Sequence, residues 1–137
     1  MDGFQNPATN SALNYTFYLP YSGQIIDIDN IEIPTGDING IAPGSVHDWY
    51  SAPKQLGANL SSPALYGACG FNCTGYDNAY LVNRAAGGPY DWREKGPVAQ
   101  LASPYSGIQL DIYSDQDAFQ LYTCNGMNGM CLSDHYM

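Results

Sequence analysis

In the stretch "GYDNAYLV" (75–82), the carboxylate of Asp77 and the amide of Asn78 stand between a glycine and a run of strand-forming residues. A carboxylate placed there can cap a turn, ligate a cation or accept hydrogen bonds from a ligand's hydroxyl groups. Residue types alone favour the turn, because Asp readily satisfies local N–H groups at the entry to a strand. His47 and Asp48 are adjacent, so in an extended chain their side chains point to opposite faces. They read as loop or edge residues rather than a catalytic dyad. His135, the other histidine, stands near the end of the sequence, where chains fray.

The acidic runs "DIDNIE" (27–32) and "DIYSDQD" (111–117) lack the mid-loop glycine and closing glutamate of an EF-hand, so they read as solvated strand faces. Four cysteines, Cys69, Cys73, Cys124 and Cys131, allow three pairings. A zinc site would need a second ligand pair beside Cys69 and Cys73. A small disulfide closing the loop ahead of Asp77 is the better reading of that spacing. No metal ion is expected at either place.

The elements that must position these groups are strands. Apolar alternation places Leu13, Tyr15, Phe17 and Leu19 on one face of 13–20, and β-branched residues fill 24–33 up to Pro34. Further strands are expected over 78–84, 97–103, 107–113 and 119–125. Turns are expected at 20–24, 34–40, 103–107 and 114–118. In 107–113, Ile108, Leu110 and Ile112 share one face, opposite Gln109 and Asp111. The segment 51–75, rich in Ser, Pro, Gly and Ala, reads as a long loop with at most one helical turn. No apolar pattern of helical period is sustained. The expectation is one all-β domain over 1–137, an antiparallel β-sandwich or part of one.

Composition narrows function by exclusion. Aromatics reach 13% and charged residues only 12%, which is a globular rather than a disordered balance. Four basic against thirteen acidic residues give a net charge of −9, which repels phosphate backbones, so no nucleic-acid partner is expected. No apolar run approaches the roughly 18 residues that span a bilayer, so no membrane partner is expected either. The first residues show no signal-peptide pattern. An even cysteine count and sequons at Asn14, Asn59 and Asn72 nevertheless fit a secreted glycoprotein.

Four segments, in order, resemble the aldose 1-epimerase (galactose mutarotase) family, especially its secreted fungal branch. They are "LNYTFYLPYSGQIIDIDNIEIPTGDI" (13–38), "VHDWYSAPKQLG" (46–57), "GYDNAYLV" (75–82) and "SGIQLDIYSDQDAFQLYTCNG" (106–126). The resemblance implies a large antiparallel supersandwich with a shallow sugar cleft. It also implies cofactor-free interconversion of the α and β anomers of a free aldose such as galactose or glucose. In that reaction a carboxylate takes the proton of the anomeric hydroxyl while an imidazolium protonates the ring oxygen.

On this resemblance Asp77 is the sugar-binding aspartate, and Asn78 stands where many members carry His. Trp49 and Tyr122 are candidate walls against a sugar face, at least one of them more plausibly a core aromatic, and Asn125 belongs to the same block as Tyr122. The family's acid lies in a "His-x-Tyr-(Phe/Trp)-Asn-Leu" strand, of which "MDGFQNPATN" resembles only the sequel. Its base lies in a "Cys-Leu-Glu-x-Gln" strand, whereas here Cys131 and Leu132 are followed by Ser133, and Asp134 is in the wrong register to replace it. The expectation is a central fragment, inactive alone, whose unpaired sheet edges favour self-association. The alternatives are a non-catalytic sugar-binding module and a small secreted interaction protein.

Overall fold

The structure, a computed structural model, describes residues 12–70, 72–84 and 94–123. Its strands are β1 (Thr16–Tyr18), β2 (Gln24–Ile28), β3 (Pro34–Gly40), β4 (Lys54–Gln55), β5 (Asp77–Leu81), β6 (Ala99–Ala102), β7 (Gln109–Ile112) and β8 (Ala118–Tyr122). They form two four-stranded sheets with the orders β4-β1-β6-β7 and β3-β2-β5-β8, and every pairing within them is antiparallel. Helix is confined to short 3₁₀ turns at Ala12–Asn14 and Pro63–Leu65 among the described residues. The all-β expectation holds. No helix among these residues is long and apolar enough to cross a membrane.

The inner faces of the sheets meet in one apolar cluster. Phe17 of β1 lies edge-on to Trp49, with centroids 5.4 Å apart, and 6.3 Å from Phe119 of β8 in the other sheet. Leu19, Trp49, Leu65, Tyr76 and Tyr80 are fully buried around them. Burial of each such side chain contributes about 1.5–3 kcal/mol, which makes this aromatic layer the main attraction between the sheets. The alternation expected around Phe17 and Leu19 is real, but Leu13 falls in a 3₁₀ turn and is exposed.

Asp29 decides where the first hairpin turns. Its Oδ1 accepts the N–H groups of Ile31 and Ile33, each at 2.9 Å. The Asp29 N–H donates in turn to the Ile33 carbonyl at 2.9 Å. The turn therefore occupies 29–33, and 34–40, expected as a turn, is strand β3. Pro34 is compatible with pairing because β3 is a sheet edge. Ile26 faces Ile38 while Ile28 faces Pro34, so β3 carries a bulge between those pairs. Gly36, at φ 98°, supplies the left-handed backbone there.

The segment 51–75 is more ordered than its composition suggests. It contains the short strand β4, which pairs with β1, and a 3₁₀ turn capped by Ser62, whose Oγ accepts the Ala64 N–H at 3.3 Å. Cys69 and Cys73 form the disulfide their spacing suggests, with Cα atoms 5.4 Å apart. Cys124 and Cys131 lie outside the described residues.

Candidate functional site

Strand β5 separates two polar environments by simple alternation. Asn78 and Tyr80 point into the sandwich and are buried, while Asp77, Ala79 and Leu81 take the opposite, outer face and are half-buried.

On the outer face, register brings together residues far apart in the chain. Asp77 lies directly across from Tyr122, and Ala79 from Gln120. The Gln120 Nε2 donates to Asp77 Oδ1 at 2.6 Å, and Tyr122 keeps 46% of its surface exposed. Asp77 is therefore not the Asx-turn residue its local sequence favours, since among the described residues its carboxylate is answered across the ladder. The start of β5 is clamped to the end of β8. The Tyr76 N–H donates to Thr123 Oγ1 at 2.8 Å and the Thr123 N–H donates to the Tyr76 carbonyl at 2.9 Å. A carboxylate, an amide and an exposed phenol ring thus stand side by side.

On the inner side an open cleft of about 530 Å³ lies over β2 and β3, walled by residues from the loop after β3 and from 64–68. Asp27, Asn39, His47 and Asn78 are among its polar lining, with Ser45 and Tyr66, and Ile25 and Ile41 are among its apolar residues. The Asp27 carboxylate accepts from Thr35 Oγ1 at 2.8 Å and from Asn39 Nδ2 at 3.1 Å. Asn78 is 4% exposed, and its Oδ1 has no hydrogen-bond partner among the described residues.

The loop carrying His47 is held from several sides. Asp48 accepts the N–H groups of Gly44 at 2.7 Å and Ser51 at 3.0 Å. Burial pushes its carboxyl upward, but these N–H donors outweigh burial and leave it below the ordinary carboxylate value. The Val46 carbonyl accepts from Tyr76 Oη at 2.9 Å and from Lys54 Nζ and Asn59 Nδ2 at 3.3 Å each. Lys54 also sits 4.4 Å above the Trp49 ring.

His47 itself ends a short buried chain of hydrogen bonds. Trp49 Nε1 can only donate, and it donates to Tyr80 Oη at 3.2 Å. Tyr80 Oη in turn lies 2.9 Å from His47 Nδ1. Tyr80 is fully buried with no other acceptor among the described residues, so its proton goes to Nδ1. That assigns the imidazole hydrogen to Nε2. Burial, with a smaller contribution from the Lys54 charge, lowers the pKa of His47 and keeps the ring neutral. Burial raises the pKa of Tyr80, and pushes that of Tyr76 up to about 12.

Of the candidate sugar contacts, Asp77 and Tyr122 come together on the outer face, and Asn78 lines the inner cleft. Trp49 is fully buried and offers no accessible ring, so it takes the core-aromatic reading. Asn125 lies outside the described residues, as does His135. His47, read from sequence as an ordinary loop residue, stands in the cleft wall. No local signal announces that position, because its partner Tyr80 is remote in the chain. Among the sequons, Asn72 is exposed, while Asn14 and Asn59 are half-buried. No group of His, Cys, Asp and Glu able to hold a metal ion occurs among the described residues.

No family model matches the chain. Curated protein sequences do match it. A "Probable aldose 1-epimerase" of Arthroderma benhamiae is 33% identical over 118 residues, covering 81% of this chain and 26% of that protein. "Epimerase FSL3" of Gibberella zeae is 32% identical over 141 residues, covering 90% of this chain and 32% of that protein. The chain belongs to the aldose epimerase family. As a family member it spans about a quarter to a third of the length of these relatives.

Proposed function

We propose that this chain supplies a sugar-contacting surface of an aldose 1-epimerase-like protein and binds a free aldose of the galactose or glucose type on the outer face of β5 and β8. The observation that carries the reading is the cross-strand placement of Asp77 opposite Tyr122, with Gln120 bonded to the carboxylate. Asp77 accepts hydrogen bonds from sugar hydroxyls, and the Gln120 amide holds the carboxylate in place. The Tyr122 ring offers an apolar surface to the C–H side of a pyranose. Kinship with two epimerases supports the substrate class.

Anomerisation needs a base for the anomeric hydroxyl and an acid for the ring oxygen. The one histidine among the described residues, His47, belongs to the inner side, where burial lowers its pKa, so among those residues Asp77 has no imidazolium beside it. On this reading the chain alone binds the sugar without interconverting its anomers. An exposed sequon at Asn72 and the Cys69–Cys73 disulfide support an extracellular setting.

Calorimetric titration with D-galactose and D-glucose tests the binding: saturable heat that Asp77→Ala sharply reduces is expected, and its absence for both sugars overturns the proposal. Polarimetry on fresh α-D-glucose tests the catalytic half. The expected result is the spontaneous rate, and a protein-dependent acceleration would refute it.

A further inference from the structure

The inner cleft has a recognition chemistry that the outer face does not use. A buried acceptor without a partner is unfavourable, and native proteins seldom retain one without a ligand, a water or a functional reason. Asn78 Oδ1 is such an acceptor, and its side chain lines the cleft. His47 supplies the complement. Its Nδ1 is engaged by Tyr80, so the Nε2 hydrogen remains to donate, and no partner for it occurs among the described residues.

Size and charge restrict what would fit. A volume of about 530 Å³ is within the range of small-molecule sites, roughly 300–1,000 Å³. An anion would meet the Asp27 carboxylate in the wall and a chain of net charge −9. A cation would find a neutral imidazole and a carboxylate already accepting from Thr35 and Asn39. A hydroxyl group both donates and accepts, so it can satisfy Asn78 and His47 in turn, while Ile25 and Ile41 offer contact to C–H groups.

We propose that this cleft is a second binding site, for a small neutral polyhydroxylated molecule held between Asn78 Oδ1 as acceptor and His47 Nε2–H as donor. It is separate from the aldose surface on the outer face and does not depend on it. The two sites sit back to back on β5.

The test is a titration of the isotopically labelled full chain with D-galactose, followed by NMR at the His47 imidazole and the Tyr122 ring. A saturable shift at His47 is expected that persists in Asp77→Ala and is lost in Asn78→Leu. Loss of the Tyr122 response alone would remove the outer-face reading and leave the cleft site standing. A His47 signal that stays still up to the solubility limit of the sugar overturns the cleft site and marks Asn78 as satisfied by water only. A His47 response that vanishes in Asp77→Ala also overturns it, because one outer site would then account for both signals. Should Asn78→Leu give a collapsed spectrum, the wild-type and Asp77→Ala titrations still decide the matter.

Discussion

Asp77 and Asn78 are neighbours in the chain, yet one carries a carboxylate answered by Gln120 on the outer face and the other an amide oxygen on the inner face that no described residue answers. The outer group needs only a strand ladder to be assembled. The inner one depends on a loop, its many fasteners and a buried tyrosine. A site drawn from paired strands is anchored by register, whereas a site drawn from a loop is as rigid as the bonds that hold the loop.

The largest effect should come from the core that underlies the inner side. Trp49→Ala is expected to cost about 3–5 kcal/mol in urea unfolding, since it removes a fully buried ring and the donor to Tyr80. The outer pairing of Asp77 with Tyr122 should survive in the folded fraction. If outer-face sugar binding instead weakened in proportion to lost stability, the two faces would not be separable.

Asp77→Ala is the converse change. Losing a charged acceptor worth roughly 1.5–3 kcal/mol should weaken outer-face galactose binding about 10- to 150-fold by calorimetry, with little change in the unfolding midpoint. A large loss of stability would mean that the bond to Gln120 is structural and would weaken the outer-face reading.

Asn78→Leu should stabilise the fold by about 1 kcal/mol, because a buried acceptor without a partner among the described residues gives way to an apolar group of similar size. A destabilisation measured by urea titration would show that the amide has a partner in solution. A protein that retains such an amide despite its cost to stability is behaving as binding sites commonly do.

The smallest effect is a pH slope. Burial holds His47 below its ordinary value of 6.5, so the unfolded chain takes up this proton first as pH falls. The stability contribution is fully present above that value and is lost as pH drops from there through the lower folded pKa. His47→Gln should flatten this part of a plot of urea midpoint against pH. An unchanged slope would place the imidazole in water, outside the cleft wall.

How much of this could be read in the residues depends on how local each feature is. Alternation marked Phe17 and Leu19 as core, and the short spacing of Cys69 and Cys73 marked their bond. Asp77 and Tyr122 were both legible as candidates, although their meeting depends on which strands pair. The hairpin at 29–33 was misplaced because Pro34 and Gly36 look like a turn. Asp29 outcompetes them by capping two N–H groups with one oxygen. Trp49 and His47 were harder, since burial of one and exposure of the other to the cleft follow from Tyr80 and the Val46 carbonyl, remote partners that leave no periodic trace.

The clamp between Tyr76 and Thr123 has a consequence for inheritance as well as for folding. Moving β5 by one residue against its neighbours would exchange Asp77 and Asn78, giving the interior a charge and the exterior an amide. A one-residue insertion or deletion in the loop before Tyr76 can be absorbed as long as this pair of bonds re-forms. The same change between Tyr76 and Asp77 cannot. Two hydrogen bonds at the mouth of a strand thus act as its reading frame.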